Sequence, residues 1–282
     1  MPTDRATARR GPWTAAFALT VTLVLVTALL PGQPASAHTA APQPRPTVVL
    51  VHGAWADGSS WNAVVQRLQR AGYPLRVPPN PLRSLPADSA TLSGFLSTFT
   101  GPVVLAGHSY GGAVITNAAT GNTNINIKAL VYVDAFAPDA GETIFPLSGA
   151  ESALAVDPAT VFDFVPYSGA PAGDVDLYLK RSTFLTSFAT GVPARTAELL
   201  YAAQRPLALS AGNQPSGTPA WRTIPSWYLV GTQDTIITPT AQRFMASRAH
   251  ARTVQVRAGH LSLITQPGPV SDLIIKAARA TD

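Results

Sequence analysis

The sequence predicts an α/β domain: a mostly parallel sheet of about six strands, helices on both faces, and a helical cap inserted before the penultimate strand. Three observations carry this expectation. Short, continuous apolar runs alternate with segments of helical periodicity, the pattern of a parallel sheet covered on both sides. One of these runs, Val103 to Ala106, ends in Gly107-His108-Ser109-Tyr110-Gly111 and passes into a helix-compatible Ala/Val/Ile segment. The interval 138–222 then breaks the alternation with Pro, Gly, Ser and aromatic residues, which marks it as an insertion.

The first 37 residues are read apart from the fold. Arg5, Arg9 and Arg10 form a positive leader, and Ala15 to Leu30 is an apolar run interrupted only by Thr. Pro31-Gly32 breaks that run, and Ala35-Ser36-Ala37 offers a small-residue cleavage site. At about 16 residues the run falls short of the roughly 20 that a membrane-spanning helix needs. A cleaved export signal over 1–37 is therefore expected, and a secreted or cell-envelope protein without a span in its mature part. Gly11-Pro12 follows Arg9-Arg10 where a twin-arginine signal usually carries apolar residues. Cleavage leaves 245 residues from His38, enough for one domain with a sizeable core. Residues 38–46, with Pro42, Pro44 and Pro46, are expected to be a disordered spacer, and 47–282 the folded domain.

Composition excludes several function classes. The full chain carries a net charge of +5, falling to +3 without the leader, and no basic run in the mature part exceeds Lys180-Arg181. Nucleic-acid binding has no footprint there. There are no cysteines, so thiol catalysis, disulfides and Cys-ligated metals are ruled out, and no metal or cofactor is expected.

Along the domain, Thr47 to Val51 is the first strand. Helical spacing of Trp61, Val64, Val65 and Leu68 predicts a helix over 59–71, capped by Ser59 or Ser60 and ended by Gly72. Leu75 to Val77 follows as a strand, and Asp88 to Thr100 as a helix that Pro86 precedes and Gly101-Pro102 stops. Further strands are predicted at 127–133, 226–230 and 253–256, with helices at 238–249 and 267–280. Within the insertion, weak helical patterns occupy 151–156, 174–189 and 193–204. Its aromatics (Phe145, Phe162, Phe164, Tyr167, Tyr178, Phe184, Phe188 and Tyr201) are expected to form a small core, with a few facing a ligand.

The strand–turn–helix around Ser109 carries the chemistry. Such a turn lifts the Ser109 Oγ above the sheet, and the crowding of its backbone demands Gly at 107 and 111. The following helix aims its N-terminus and free N–H groups at developing negative charge. A serine needs a general base and the base a carboxylate, in the chain order Ser, acid, His. His260, just past the last predicted strand, is the expected base. His38 lies in the spacer and His250 at a helix end, while His52 and His108 adjoin the two turns, where packing and backbone hydrogen bonding suit them. Asp234, 26 residues before His260, is the expected acid. Asp134, at the end of an earlier strand, is the competitor, expected instead to hydrogen-bond the loop that leads into the cap. The N–H groups of Ala54 and Tyr110 are the expected oxyanion donors, each worth on the order of 3 kcal/mol in such sites. Trp55 and Leu261 are assigned to the pocket, with Trp61 and the Tyr110 ring as further candidates.

Together the segments His-Gly-Ala-Trp, Gly-His-Ser-Tyr-Gly-Gly, Val-Asp-Ala-Phe-Ala-Pro-Asp, Gly-Thr-Gln-Asp and Ala-Gly-His-Leu-Ser resemble the α/β-hydrolase superfamily. The resemblance covers about residues 47–280. It is to the branch of plant methylesterases, hydroxynitrile lyases and related bacterial esterases, whose members often lack the fold's first two strands. It implies a serine carboxylesterase acting on small to medium hydrophobic esters through an acyl-enzyme. Lyases of the branch carry Thr at the position of Gly53 and Lys at that of Leu261, so both positions here match the esterase state. Ser109 excludes the aspartate nucleophile of epoxide hydrolases and dehalogenases. A lactonase, an amidase, a cofactor-free perhydrolase and a non-catalytic ligand-binding member stay open as alternatives.

Overall fold

The computed structural model describes residues 45–120 and 126–280; the expected export signal and most of the spacer lie outside them. Nine strands run along the described chain: β1 (Thr47–Val51), β2 (Leu75–Arg76), β3 (Val103–His108), β4 (Ile127–Val133), β5 (Phe162–Val165), β6 (Asp176–Leu179), β7 (Leu207–Ala208), β8 (Ser226–Gly231) and β9 (Arg252–Val256). Six of them form one parallel sheet in the order β2-β1-β3-β4-β8-β9. Every residue of β3 and β8 is buried, which is why these segments are apolar throughout rather than alternating. Helix α1 (Asn62–Arg70) packs with the helix Pro267–Arg279, and α2 (Leu85–Leu96) with α3 (Tyr110–Ala118), the two pairs covering the two faces. Among the described residues no helix is long and apolar enough to cross a membrane.

The core elements match their expected positions, with informative shifts at two helix starts. α2 begins at Leu85 rather than Asp88, so Pro86 sits inside its first turn. Proline is accepted there because the first N–H groups of a helix lack an intrahelical partner, and Ser84 caps the turn by accepting from Ala87 N. The first turn expected of α1 is a 3-10 segment, Gly58–Trp61, capped by Asp57 in place of Ser59 or Ser60.

The insertion lies between β4 and β8, as expected, but it is not built of helices alone. Residues 176–179, inside the predicted helical stretch 174–189, form β6, the centre of a three-stranded antiparallel sheet ordered β5-β6-β7. Residues 151–156 form turns rather than helix. Helical structure persists at Arg181–Phe188 and at Ala194–Ala202. Val175, Leu177 and Leu179 alternate at the strand period, a signal that the longer helical reading of 174–189 overrode, and pairing with β5 fixes the strand. The insertion is clasped to the core at several points. Ala208 N donates to Leu82 O (3.0 Å), Trp55 N to Arg205 O (2.9 Å), Trp55 Nε1 to Leu177 O (2.9 Å), and Arg83 pairs with Asp176 at 2.7 Å.

The sheet gathers functional residues along one edge. β1 and β3 are neighbours whose connections leave in opposite lateral directions, and the loops beyond their carboxyl ends therefore open a crevice. The backbone there is close-packed. An added Cβ at Gly107 would sit 2.5 Å from Gly111 O, and one at Gly111 would sit 2.4 Å from Val51 O. Both obstacles are main-chain atoms that cannot rotate away. Gly111→Ala is expected to lower the melting temperature by roughly 5 °C or more, because overpacking of this kind typically costs a few kcal/mol. Thermal melts would decide, and a Tm within 1 °C of wild type would show that the turn tolerates a side chain.

Candidate active site

Five strand ends converge. Ala54 and Trp55 follow β1, Ser109 follows β3, Asp134 follows β4, Asp234 follows β8 and His260 follows β9. Ser109 has φ 52° and ψ −125°, a left-handed conformation that costs a non-glycine residue on the order of 1–3 kcal/mol. Trp55 (φ 55°) and Asp134 (φ 45°) share this feature, so three of the five positive-φ non-glycine residues described surround one point.

Ser109 Oγ lies 2.9 Å from His260 Nε2, and His260 Nδ1 lies 2.8 Å from Asp234 Oδ2. The structure thus brings together the serine, histidine and aspartate expected from sequence, and takes Asp234 rather than Asp134 to the imidazole. Asp234 is held by more than the histidine. Its Oδ1 accepts from Ile236 N (2.8 Å) and Ile237 N (3.1 Å), and its Oδ2 also accepts from Gln242 Nε2 (2.7 Å). Burial pushes the Asp234 carboxyl up, and these donors oppose that shift by stabilising the charge. Burial likewise pushes the His260 imidazole down, to about 3, so at neutral pH the ring rests unprotonated. That is the form able to accept the Ser109 proton.

The two expected oxyanion donors are unspent. Among the described residues neither the Ala54 nor the Tyr110 amide makes a hydrogen bond, whereas the next amide, Trp55 N, is taken by Arg205 O. Tyr110 N is also the first N–H of α3, at the positive end of that helix.

The aromatic candidates separate. The Tyr110 ring does not line a pocket: it is buried, and its hydroxyl donates to Asp88 Oδ2 (2.8 Å), tying α3 to α2. Trp61 is wholly buried and meets the His108 ring edge-on. Trp55 stands at the boundary between core and cap, stacked on Phe162 and edge-on to Phe188, each at 5.8 Å between centroids. Phe188 in turn lies 5.3 Å from the His260 ring. Leu261 is buried beside the base. The cap therefore roofs the site with Phe188, and Ser109 retains only 2% exposure.

His52 and His108 have the supporting roles expected of them. His52 Nε2 accepts from Asn80 N (3.0 Å), and His108 Nε2–H donates to the His260 carbonyl (2.9 Å). Burial lowers both imidazoles. Asp134 departs from expectation: it does not hold the loop entering the cap, but accepts from the amide and hydroxyl of Ser262, two residues past His260. Gln242, fully buried and bound to Asp234, was missed from sequence. A polar residue on a helix face ordinarily signals solvent, and only its position one turn into the helix after Asp234 hinted otherwise.

Residues 48–273 match the model of the Alpha/beta hydrolase family. A carbendazim-hydrolysing esterase of Nocardioides sp. (strain SG-4G) is 34% identical over 111 residues, covering 35% of this chain and 46% of that protein. The chain thus matches about half the length of this curated relative. A methylesterase from Arabidopsis superposes with a TM-score of 0.66 at 17% identity, over 83% of this chain and 99% of the other. An extracellular α/β-hydrolase from a Paenibacillus species, described as a structural and functional homologue of tobacco salicylic acid binding protein 2, superposes at 0.65 with 23% identity, over 83% and 99%. With a parallel sheet that delivers a serine, an aspartate and a histidine from the ends of β3, β8 and β9, and a family match spanning nearly the whole described fold, the chain belongs to the alpha/beta hydrolase family.

Proposed function

We propose that this protein is an exported serine carboxylesterase that cleaves small to medium hydrophobic esters without metal or cofactor. The observation that carries this reading is the line from Ser109 Oγ through His260 to Asp234, at 2.9 and 2.8 Å, beside two unspent N–H groups. In the proposed reaction Ser109 attacks the ester carbonyl as His260 takes its proton, and Asp234 holds the ring and stabilises the imidazolium that forms. Ala54 N–H and Tyr110 N–H receive the negative carbonyl oxygen. His260 then protonates the departing alcohol, and water, activated by the same base, releases the acid from the acyl-enzyme. The carbendazim-hydrolysing relative and the apolar roof of Trp55, Phe162 and Phe188 support a hydrophobic ester as substrate.

The lyase chemistry of the resembling branch is disfavoured on two grounds. Leu261 offers no cation for a departing cyanide. At Gly53 a Cβ would lie 2.6 Å from Ser109 Cβ, so the threonine that lyases carry has no room here. Purified protein is expected to turn over p-nitrophenyl acetate and butyrate, with activity abolished in Ser109→Ala, and to release no cyanide from mandelonitrile. Absence of ester turnover in the folded wild type, or Ser109-dependent cyanide release, overturns the reading.

The acid is tested separately. Asp234→Asn should keep the fold yet lower kcat by several orders of magnitude, as the wrong imidazole tautomer does in a serine protease at about 10⁴-fold. A folded Asp234→Asn variant with near wild-type kcat would remove Asp234 from the reaction.

Export rests on Arg5, Arg9 and Arg10, the apolar run and Ala35-Ser36-Ala37, and the extracellular Paenibacillus protein supports it. N-terminal sequencing of protein from the medium or cell envelope should begin at or near His38. Protein that starts at Met1 and stays with membranes contradicts export.

A further inference from the structure

A second buried carboxyl stands beside the site and the mechanism above does not use it. Asp134 is 0% exposed and held at φ 45°, with its backbone N–H donating to Leu229 O in β8 (3.1 Å). Burying a carboxyl and straining its backbone are both costly, so the residue needs a compensating role. Its side-chain hydrogen bonds go to one place: Oδ2 accepts from Ser262 N (3.2 Å) and from Ser262 Oγ. Ser262 is itself fully buried, and begins the short helix Ser262–Thr265. The loop that bears His260 is thus pinned at His260 and just beyond it. His108 Nε2–H holds the carbonyl of His260, and Asp134 holds residue 262.

We propose that Asp134 is a positioning residue for His260, acting through Ser262 to fix the imidazole between Ser109 and Asp234. The inference rests on the reading of His260 as the general base. Asp134 does this as an uncharged acid. Its Oδ1 has no hydrogen-bond partner among the described residues, and it faces Gly231, where a Cβ would sit 2.7 Å from Oδ1, 3.0 Å from Ala258 O and 3.1 Å from Gly259 O. A buried carboxylate with one oxygen left without a donor is disfavoured. Asp234 has four donors and Asp134 has only those of Ser262, so of the two buried carboxyls Asp234 takes the charge. Burial, and then that charge, push Asp134 well above the usual carboxylate range. The remaining titratable groups close by are Tyr228, whose hydroxyl donates to Ala135 O, and Tyr132, stacked on it at 5.7 Å. Burial raises both phenols, so neither adds charge. A neutral Asp134 fixes the loop without a second negative charge that would retain a proton on His260.

The test combines kinetics with a spectroscopic readout, using p-nitrophenyl butyrate and the full-length protein. Asp134→Ala should lower kcat on the order of 10²-fold, the usual penalty for misplacing a catalytic group by about 1 Å, with KM within threefold. Ser262→Ala should lower kcat roughly five- to tenfold, as loss of one hydrogen bond does, and the double variant should lose no more than Asp134→Ala. Asp134→Asn, a neutral isostere, should stay within about tenfold of wild type. The downfield proton resonance of the His260 Nδ1–H, identified by its absence from His260→Ala, should shift or broaden in Asp134→Ala and Ser262→Ala and persist in Asp134→Asn. That resonance reports on the imidazole whether or not esters are turned over, so it separates failure of this inference from failure of the esterase reading. Wild-type kcat and an unaltered resonance in folded Asp134→Ala overturn the proposal, as do losses that multiply in the double variant. Asp134→Asn as impaired as Asp134→Ala overturns the uncharged form. If Asp134→Ala does not fold, Ser262→Ala and Asp134→Asn decide by the same criteria.

Discussion

The turn between β3 and α3 forces the main chain of two strands and a helix into contact, and the site is built around that contact. Gly107 meets Gly111, and Gly111 meets the carbonyl of Val51 at the end of β1, at distances that admit no side chain. The same approach holds Ser109 at positive φ and brings the Ala54 loop alongside it. The serine, the unspent Ala54 and Tyr110 amides and the start of α3 thus share one rigid corner. Strain stored there is sustained by the surrounding sheet, whose inner strands β3 and β8 are buried on both faces.

Electrostatics follow from the same burial. Ser109, Asp234, His260 and Asp134 lie at or below 2% exposure, so each charge must be answered by protein groups. Asp234 is answered by two amides, Gln242 and His260; the imidazole is left neutral at rest; and His108 is spent holding a carbonyl. In a site shielded from water these fixed dipoles act with little screening, which is the condition for strong stabilisation of a developing oxyanion.

The cap supplies that shielding. Phe188 lies against His260, Trp55 bridges Phe188 and Phe162, and hydrogen bonds from Trp55 to Leu177 and Arg205 fasten the roof to the oxyanion loop. Trp55 is therefore coupled both to the ligand side of the cap and to the backbone beside Ala54.

Local chemistry made much of this legible from the residues in order. Apolar runs named the six core strands, paired glycines named the serine turn, and a histidine after the last strand with an aspartate after the one before named the partners. Such features depend on contacts close in sequence or on the ordered succession of strand ends. The remainder depended on contacts distant in sequence. In the cap the strand alternation of Val175, Leu177 and Leu179 is only a few residues long, and β6 is a strand because β5 and β7 are there to pair with it. Gln242 is an active-site support because its helix packs it against Asp234, and Tyr110 turns its ring away because Asp88 accepts its hydroxyl. Asp134 and Asp234 are the same residue type at equivalent strand ends. Only the lateral order of β4, β8 and β9 gives the imidazole to one and Ser262 to the other, since hydrogen bonds act over about 3 Å in space and take no account of separation along the chain.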